Sequence, residues 1–405
     1  MKLAVPSSRP SPPSLEAQLV ITPSVPVWRK EGKLFFDRKF YEGMCLYGEK
    51  WPGPLKCVLS RSDAPLPDFG TVAIELADLP FECRVLEPGE RIGAGHLAGA
   101  ALVLASGDDF DQLHLSRLCA SIGIKCVYVI EYIPETRHQI VALSTPNPLR
   151  RLRRHLYLWR GEQKRLRAFA QADGLQSNGM PAYREYGGFR NNLLFFDTRV
   201  HQGEMIGEAE LDRRLACLNQ GGPLRLAFSG RLIRMKGADH LVQLARRLDR
   251  SGLAFHMTIY GAGELEAEMR AFIAREGLED RVALTGALDF HERLLPDLKS
   301  QVDLFICLHR QSDPSCTYLE TLSCGVPILG YENRAFAGLL GEAAIGWGAA
   351  LEDLAGIGDR VLWLDRHREA LAEAARTGAH FARSHGFEAT FQRRIDHLVA
   401  LCRNI

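Results

Sequence analysis

The sequence predicts an α/β protein made of two consecutive Rossmann-like units. Three observations carry this reading. Short runs rich in Val, Ile and Leu recur along the chain, amphipathic helical patterns stand between them, and the series restarts after a charged, glycine-bearing stretch at 201–222. Apolar runs separated by helices are what parallel strands covered on both faces require. A length of 405 residues fits two or three domains at roughly 150 residues each.

The first 27 residues hold six prolines, so an extended tail is expected as far as the run 34–36. Strands are then expected at 55–59, 72–76, 100–105, 124–130, 174–176 and 193–196, with a helix over 111–122 presenting Leu113, Leu115, Leu118 and Cys119. In the second half, strands are expected at 224–228, 255–260, 282–284, 302–308 and 327–329. Helices fall at 238–248, 265–273 and 317–324, the first with apolar residues at 238, 241, 242, 245 and 248. The expected domains are 1–205 and 222–385. A last amphipathic helix over 386–405, with Phe387, Phe391, Ile395, Leu398 and Cys402 on one face, is expected to cross back to the first domain.

Fifty Lys and Arg against 49 Asp and Glu leave a net charge of +1, which argues against a generic nucleic-acid binder. Ten cysteines form no CxxC or Cys/His ligand cluster. Several sit in apolar runs, the behaviour of free thiols in a reducing compartment. Leu3-Ala-Val5 before Pro6 is too short for a secretory leader, and the apolar stretch 97–105 is far below a bilayer span. The expectation is a cytosolic protein.

In an open α/β sheet, ligands sit beyond the carboxyl ends of the strands. The exit Leu226-Ala-Phe-Ser-Gly-Arg-Leu-Ile-Arg-Met-Lys-Gly237 puts Arg231 at a strand tip and Lys236 one short loop later, at the start of a helix. Two cations and a helix N-terminus can reach one anion: Arg offers a planar fork, Lys a point charge, and the helix backbone donors. A solvated basic loop is the plain alternative. The exit after 302–308 leads through a small-residue loop, Asp313–Thr317, into a helix with Glu320 one turn inside. Glu320 is placed to accept hydrogen bonds from a vicinal diol such as ribose, or to close a capping box with Thr317 as N-cap.

The order Ser-Gly-Arg-Leu…Lys-Gly, Tyr-Gly-Ala-Gly-Glu, Leu-Thr-Gly and Tyr-Leu-Glu-Thr-Leu-Ser-Cys-Gly-Val-Pro-Ile resembles the nucleotide-sugar domain of retaining GT-B glycosyltransferases, family 4 (glycosyl transferases group 1). The resemblance covers about 224–345 well and the first half in outline. It implies two Rossmann-like domains facing across a cleft, and a nucleotide diphosphate sugar as donor. It implies that Arg231 and Lys236 neutralise the donor diphosphate, with Gly230 beside them. Backbone amides near Ser315, Cys316 and Thr317 hold the same phosphates, Glu320 holds the ribose, and Gly286 flanks the base. The first acid of the family's E-x7-E element falls at position 312, where this chain has Ser312 followed by Asp313. Either Asp313 substitutes for that acid, which touches the donor sugar, or Ser312 signals a different sugar. Tyr260-Gly-Ala-Gly-Glu264 lacks the third glycine of a dinucleotide fingerprint, since position 266 is Glu266; a tight strand-to-helix turn is expected there.

The family's paired-glycine loop and later His are not evident in the first half; Gly43 is the candidate for the former. Glu131, charged at the end of an apolar strand, is a candidate to face donor sugar or acceptor, or else to pair with Arg137. Asp108, Asp109 and Asp111 are read as helix N-capping in preference to a metal-binding Asp109-x-Asp111 pair, which resembles that of the other large glycosyltransferase fold, a fold that does not explain two α/β halves; Asp108 is a possible cleft residue. Asn178 ends another strand, as a turn residue or a hydroxyl contact. Arg150, Arg151, Arg153, Arg154, Arg160, Lys164, Arg165 and Arg167 stand against Glu162 alone. Leu149, Leu152, Leu156, Trp159, Leu166 and Ala170 keep helical spacing. Such a helix has a basic face that is either solvated or set against an anionic membrane.

The sequence therefore reads as a metal-independent, cofactor-free retaining glycosyltransferase acting on a glycan or lipid-linked acceptor. The alternatives are an epimerase or phosphorylase of the same fold, or a non-catalytic nucleotide-sugar-binding subunit.

Overall fold

The computed structural model describes residues 17–67 and 70–403. It divides into two units: 1–128 with 171–173 and 395–405, and 129–170 with 174–394.

In the first unit the strand Gln18–Thr22 runs parallel to and between Leu55–Ser60 and Ala100–Ser106, and Glu82–Leu86 lies outside Leu55–Ser60. This corrects the expected tail. Residues 1–16 lie outside the described residues, but Leu19 and Val20 are fully buried, because the five-residue run Gln18–Thr22 is apolar enough for a sheet interior. The runs 34–36 and 72–76 also differ from expectation, since they do not join the parallel series. Trp28–Lys30, Lys33–Asp37 and Thr71–Glu75 form a separate antiparallel sheet. Lys30 pairs with Lys33 across Glu31-Gly32, whose φ angles are 53° and 79°. Two positive φ values mark the tight hairpin turn that matches strand twist, and Glu at its first position hides it from sequence. Leu34 and Phe36 are buried while their neighbours are not, the alternation of a one-sided sheet.

The helix Arg38–Lys50 follows, with Asp37 accepting a hydrogen bond from the Phe40 N–H at 3.0 Å. Gly43 is buried inside this helix, so the glycine-loop reading of Gly43 is corrected. The helix expected over 111–122 begins only at Leu115, with His114 as an uncapped N-cap. The Asp109 carboxylate instead receives Asp111 N–H at 2.9 Å and Gln112 Nε2 at 3.1 Å. It stabilises a turn and caps no helix.

The second unit contains six parallel strands in the order Val282–Gly286, Phe255–Tyr260, Leu224–Ser229, Leu304–Cys307, Ile328–Tyr331, Gly346–Ala349. This is the doubly wound order, in which the chain reverses its direction of travel across the sheet beside its first strand. The helix Ala238–Arg250 buries Ala238, Leu241, Val242, Ala245 and Leu248 against it, as the 3.6-residue spacing predicts. The helix Phe387–Arg403 closes the chain; its residues from Ile395 onward group with the first unit, where Lys125 Nζ donates to the Leu401 carbonyl at 2.6 Å.

The helix Pro148–Gln171 departs from expectation in one respect. Leu149, Leu152, Leu156 and Trp159, the apolar row of its helical spacing, are exposed. Arg165, expected on the basic face, is fully buried and bonds Glu162 Oε2, the Tyr186 hydroxyl and the Tyr132 carbonyl. All ten cysteines are free, and six of them are buried. Among the described residues no helix is long and apolar enough to cross a membrane.

Candidate functional site

The two exits singled out in sequence leave adjacent strands. Leu224–Ser229 and Leu304–Cys307 pair at Leu226–Leu304 and Ala227–Phe305, so Gly230-Arg231 and Leu308-His309 emerge side by side at the point where strand order reverses. In such sheets that is where a crevice opens.

The first exit folds back through the single 3-10 turn Arg234–Lys236 into Gly237, whose φ is +71°. A Cβ at Gly237 would stand 2.2 Å from the Leu308 carbonyl oxygen, so only glycine lets the two loops touch. This fold buries Lys236, with Nζ 3.2 Å from Asp313 Oδ2. Asp313 Oδ1 is buried too and has no hydrogen-bond partner. Buried carboxylate oxygens are nearly always satisfied, so an unfilled bond here marks a place built to receive a donor group. Arg231, at the start of the same exit, is exposed and has no ion pair among the described residues. The Gly261–Gly263 turn supports this loop: Leu232 N–H donates to the Ala262 carbonyl, and Leu265 N–H to that of Leu232, both at 3.0 Å. The tight-turn reading of these glycines agrees with this.

Sequence reasoning passed over His309. It is 1% exposed, and neither ring nitrogen has a partner. Burial, and after it the Lys236 charge, push its pKa well below the usual imidazole range, so it is neutral at physiological pH. A polar residue ending an apolar strand is the signal that singled out Glu131, and it applied equally to His309. Arg310 was passed over as well. It ties the second loop to the first through Asp239 at 2.6 Å and the Met235 carbonyl at 3.0 Å.

Ser312, which stands where the family pattern has an acid, is buried. Its hydroxyl donates to Glu135 Oε1 at 3.3 Å, and its N–H to Gln139 Oε1 at 3.3 Å. Arg334 pairs with Glu135 at 3.1 Å and Glu185 at 2.9 Å. A carboxylate therefore does stand beside position 312, supplied by the helix Pro134–Ser144; no sequence spacing links Glu135 to Ser312.

The helix Thr317–Ser323 has Cys316 as N-cap without a side-chain cap bond, so the capping-box reading of Thr317 and Glu320 is corrected. Glu320 is buried and pairs with Arg199 Nε at 2.8 Å. The Arg199 guanidinium lies 3.8 Å from the Phe290 ring centroid. Ser315 Oγ is 3.1 Å from Thr317 Oγ1, and Cys316 Sγ 3.7 Å from Asp197 Oδ2. Asn178 ends the strand Gly174–Asn178 and accepts from the Asp197 N–H at 3.1 Å. Asn178, Asp197, Pro314, Ser315 and Tyr318 line one small crevice. Gly179 completes that corner: at φ +75° a Cβ would meet Pro314 Cβ at 2.8 Å. Gly286 ends its strand at φ +77° and accepts from the Gly261 N–H at 2.8 Å.

The structure thus brings Gly230, Lys236, Asp313, Ser315, Cys316, Thr317 and Glu320 onto the exits of one sheet and its neighbouring loops. Glu131 is exposed at the end of Lys125–Ile130. Gly43 and Asp108 belong to the other unit. Among the described residues no three His, Cys, Asp or Glu side chains are grouped to hold a metal ion.

Residues 217–378 match the family model described as "Glycosyl transferases group 1". The chain is 30% identical over 121 residues to a 2-deoxystreptamine glucosyltransferase of Streptomyces kanamyceticus, covering 30% of each chain. It is 32% identical over 124 residues to the lipopolysaccharide core biosynthesis mannosyltransferase LpsB of Rhizobium meliloti (strain 1021), covering 29% of this chain and 34% of that one. The chain thus spans about a third of the length of the curated relatives it matches. Among solved structures, Anabaena HepE in complex with UDP and glucose superposes with a TM-score of 0.61 at 13% identity, over 94% of this chain and 99% of that one. The fold is the two-domain α/β fold of GT-B structures.

Proposed function

We propose that the protein is a retaining glycosyltransferase of family 4 type, moving a sugar from a nucleotide diphosphate sugar to a hydroxyl of a glycan or lipid-linked acceptor. The observation that carries this is the buried Lys236–Asp313 pair with its unfilled oxygen, set at the switch point of the sheet, with an exposed Arg231 on the same exit loop as Lys236. The match of residues 217–378 to the glycosyltransferase family model supports it, as does a fold shared with a UDP-binding structure.

Breaking the glycosidic bond leaves negative charge on the β-phosphate. Arg231 and Lys236 balance that charge where it develops, usually the largest catalytic term, and this needs no metal. The leaving phosphate takes the acceptor proton on the same face of the sugar, giving retention without a separate general base. Glu320 holds the ribose with the oxygen that Arg199 leaves open. Asp313 Oδ1 accepts from a hydroxyl of the donor sugar, the part played elsewhere by an acid at position 312. A polysaccharide or cell-envelope role is supported by the likeness to LpsB, whose name gives lipopolysaccharide core biosynthesis.

The test is a panel of UDP- and GDP-sugars scored by thermal stabilisation, followed by acceptor-dependent nucleotide release with the stabilising donor. At least one donor should raise Tm and turn over with an acceptor. Donor consumption that ignores acceptors would move the assignment to an epimerase or phosphorylase, and the absence of any stabilising donor would end it.

A further inference from the structure

The helix Pro148–Gln171 is inverted with respect to an ordinary surface helix, which hides its apolar stripe and shows its charges. Leu149, Leu152, Leu156 and Trp159 follow each other at steps of three, four and three, and are 72%, 58%, 49% and 58% exposed. They form one continuous apolar row, since residues three and four apart are neighbours on a helix. Of the ten exposed large hydrophobic side chains among the described residues, six fall between 143 and 159.

The orientation is held by the opposite face, where polar groups make the contacts. Arg165 is fully buried among Glu162, Tyr186 and Tyr132. His155 Nδ1 meets His138 Nδ1 of the preceding helix at 2.6 Å. Arg154 donates to Thr145 Oγ1 at 2.7 Å. With these bonds in place, the helix cannot turn its leucines inward without leaving buried charge unpaired.

Beside the apolar row runs a cationic one: Arg153, Arg160 and Arg167 recur every seven residues, with Arg150 and Lys164 alongside, and all are exposed. None of these five has an acidic partner among the described residues. An exposed apolar row flanked by unpaired cations suits an anionic lipid surface, where the apolar side chains enter the headgroup boundary and the cations meet the phosphates. A protein partner would need a matching apolar groove lined with acids; a bilayer offers both features at once. We propose that this helix is the protein's docking surface for an anionic membrane, lying in the interface plane with Trp159 as its anchor. The inference does not depend on the sugar-transfer reading, because nucleotide-sugar stabilisation and vesicle binding are separate measurements.

The full chain should be sedimented with vesicles of phosphatidylcholine alone and of phosphatidylcholine with about 30% phosphatidylglycerol. Binding is expected to the second only. The variant Leu152→Ser/Trp159→Ser should lower the bound fraction about tenfold, and Arg153→Glu/Arg160→Glu/Arg167→Glu should abolish it. Both variants should keep the wild-type thermal melting point, which shows that they fold. Equal binding to both vesicle types, or binding that neither variant weakens, overturns the proposal. So does a protein that ignores vesicles but dissociates from dimer to monomer in the Leu152/Trp159 variant, which makes the face a self-interface.

Discussion

Lys236→Met separates the structural and chemical parts of the site. The substitution removes the partner of Asp313 Oδ2, while Oδ1 is already buried without one, so a whole carboxylate is stranded. Breaking a wholly buried pair from one side costs about 3–5 kcal/mol. Here the side chains keep 11% and 15% exposure, so solvent relief should bring the loss to about 2–3 kcal/mol. Adding Asp313→Asn removes the stranded charge and should return most of that stability. Turnover behaves differently. Loss of a cation placed where leaving-group charge develops costs about 10²–10³ in kcat, and the second substitution cannot restore it. Urea unfolding gives the first quantity and acceptor-dependent nucleotide release the second. A Lys236→Met protein as stable as wild type would sink the buried-pair account. A double variant that regains turnover would sink the catalytic one.

Three further outcomes follow from the geometry. Gly237→Ala should cost at least about 2 kcal/mol, read by urea unfolding, because its Cβ would stand 2.2 Å from the Leu308 carbonyl at φ +71°. Glu320→Ala should weaken nucleoside and nucleotide binding alike, by about tenfold in calorimetric Kd, since both ligands carry the ribose. Burial, then the Arg393 charge, lower the His385 pKa from 6.5 to about 4. The folded state therefore binds fewer protons than the unfolded chain between those values. Stability should be flat above pH 6.5 and fall as pH drops toward 4, by at most about 1.4 kcal/mol per pH unit from this group. His385→Gln should flatten that limb in pH-dependent unfolding.

Legibility in sequence followed the range of the interaction. The strand Phe255–Tyr260 was read to the residue and Ala238–Arg250 to within two, because burial on both faces, or on one stripe, prints its period onto neighbouring residues. Gln18–Thr22 was lost because the prolines around it outweigh five apolar residues in any local window, although a central sheet position decides their state. The Trp28–Lys30 hairpin was lost because Glu31-Gly32 adopts a glycine-type turn with only one glycine. Lys236 and Asp313 could each be suspected alone.

What the sequence determined by itself is the doubly wound second unit and the identity of the loops at its switch point, since both rest on periodicity and on residues close in the chain. Tertiary structure alone decided that Lys236 meets Asp313, that Glu135 stands at Ser312, and which way the helix Pro148–Gln171 faces. Glu135 and Ser312 are 177 positions apart. The rotation of that helix is set by Arg165, a buried cation whose partners include Tyr186, 21 residues later. Composition shows that a helix is two-faced; only the groups that satisfy its buried charge determine which face is turned to the outside.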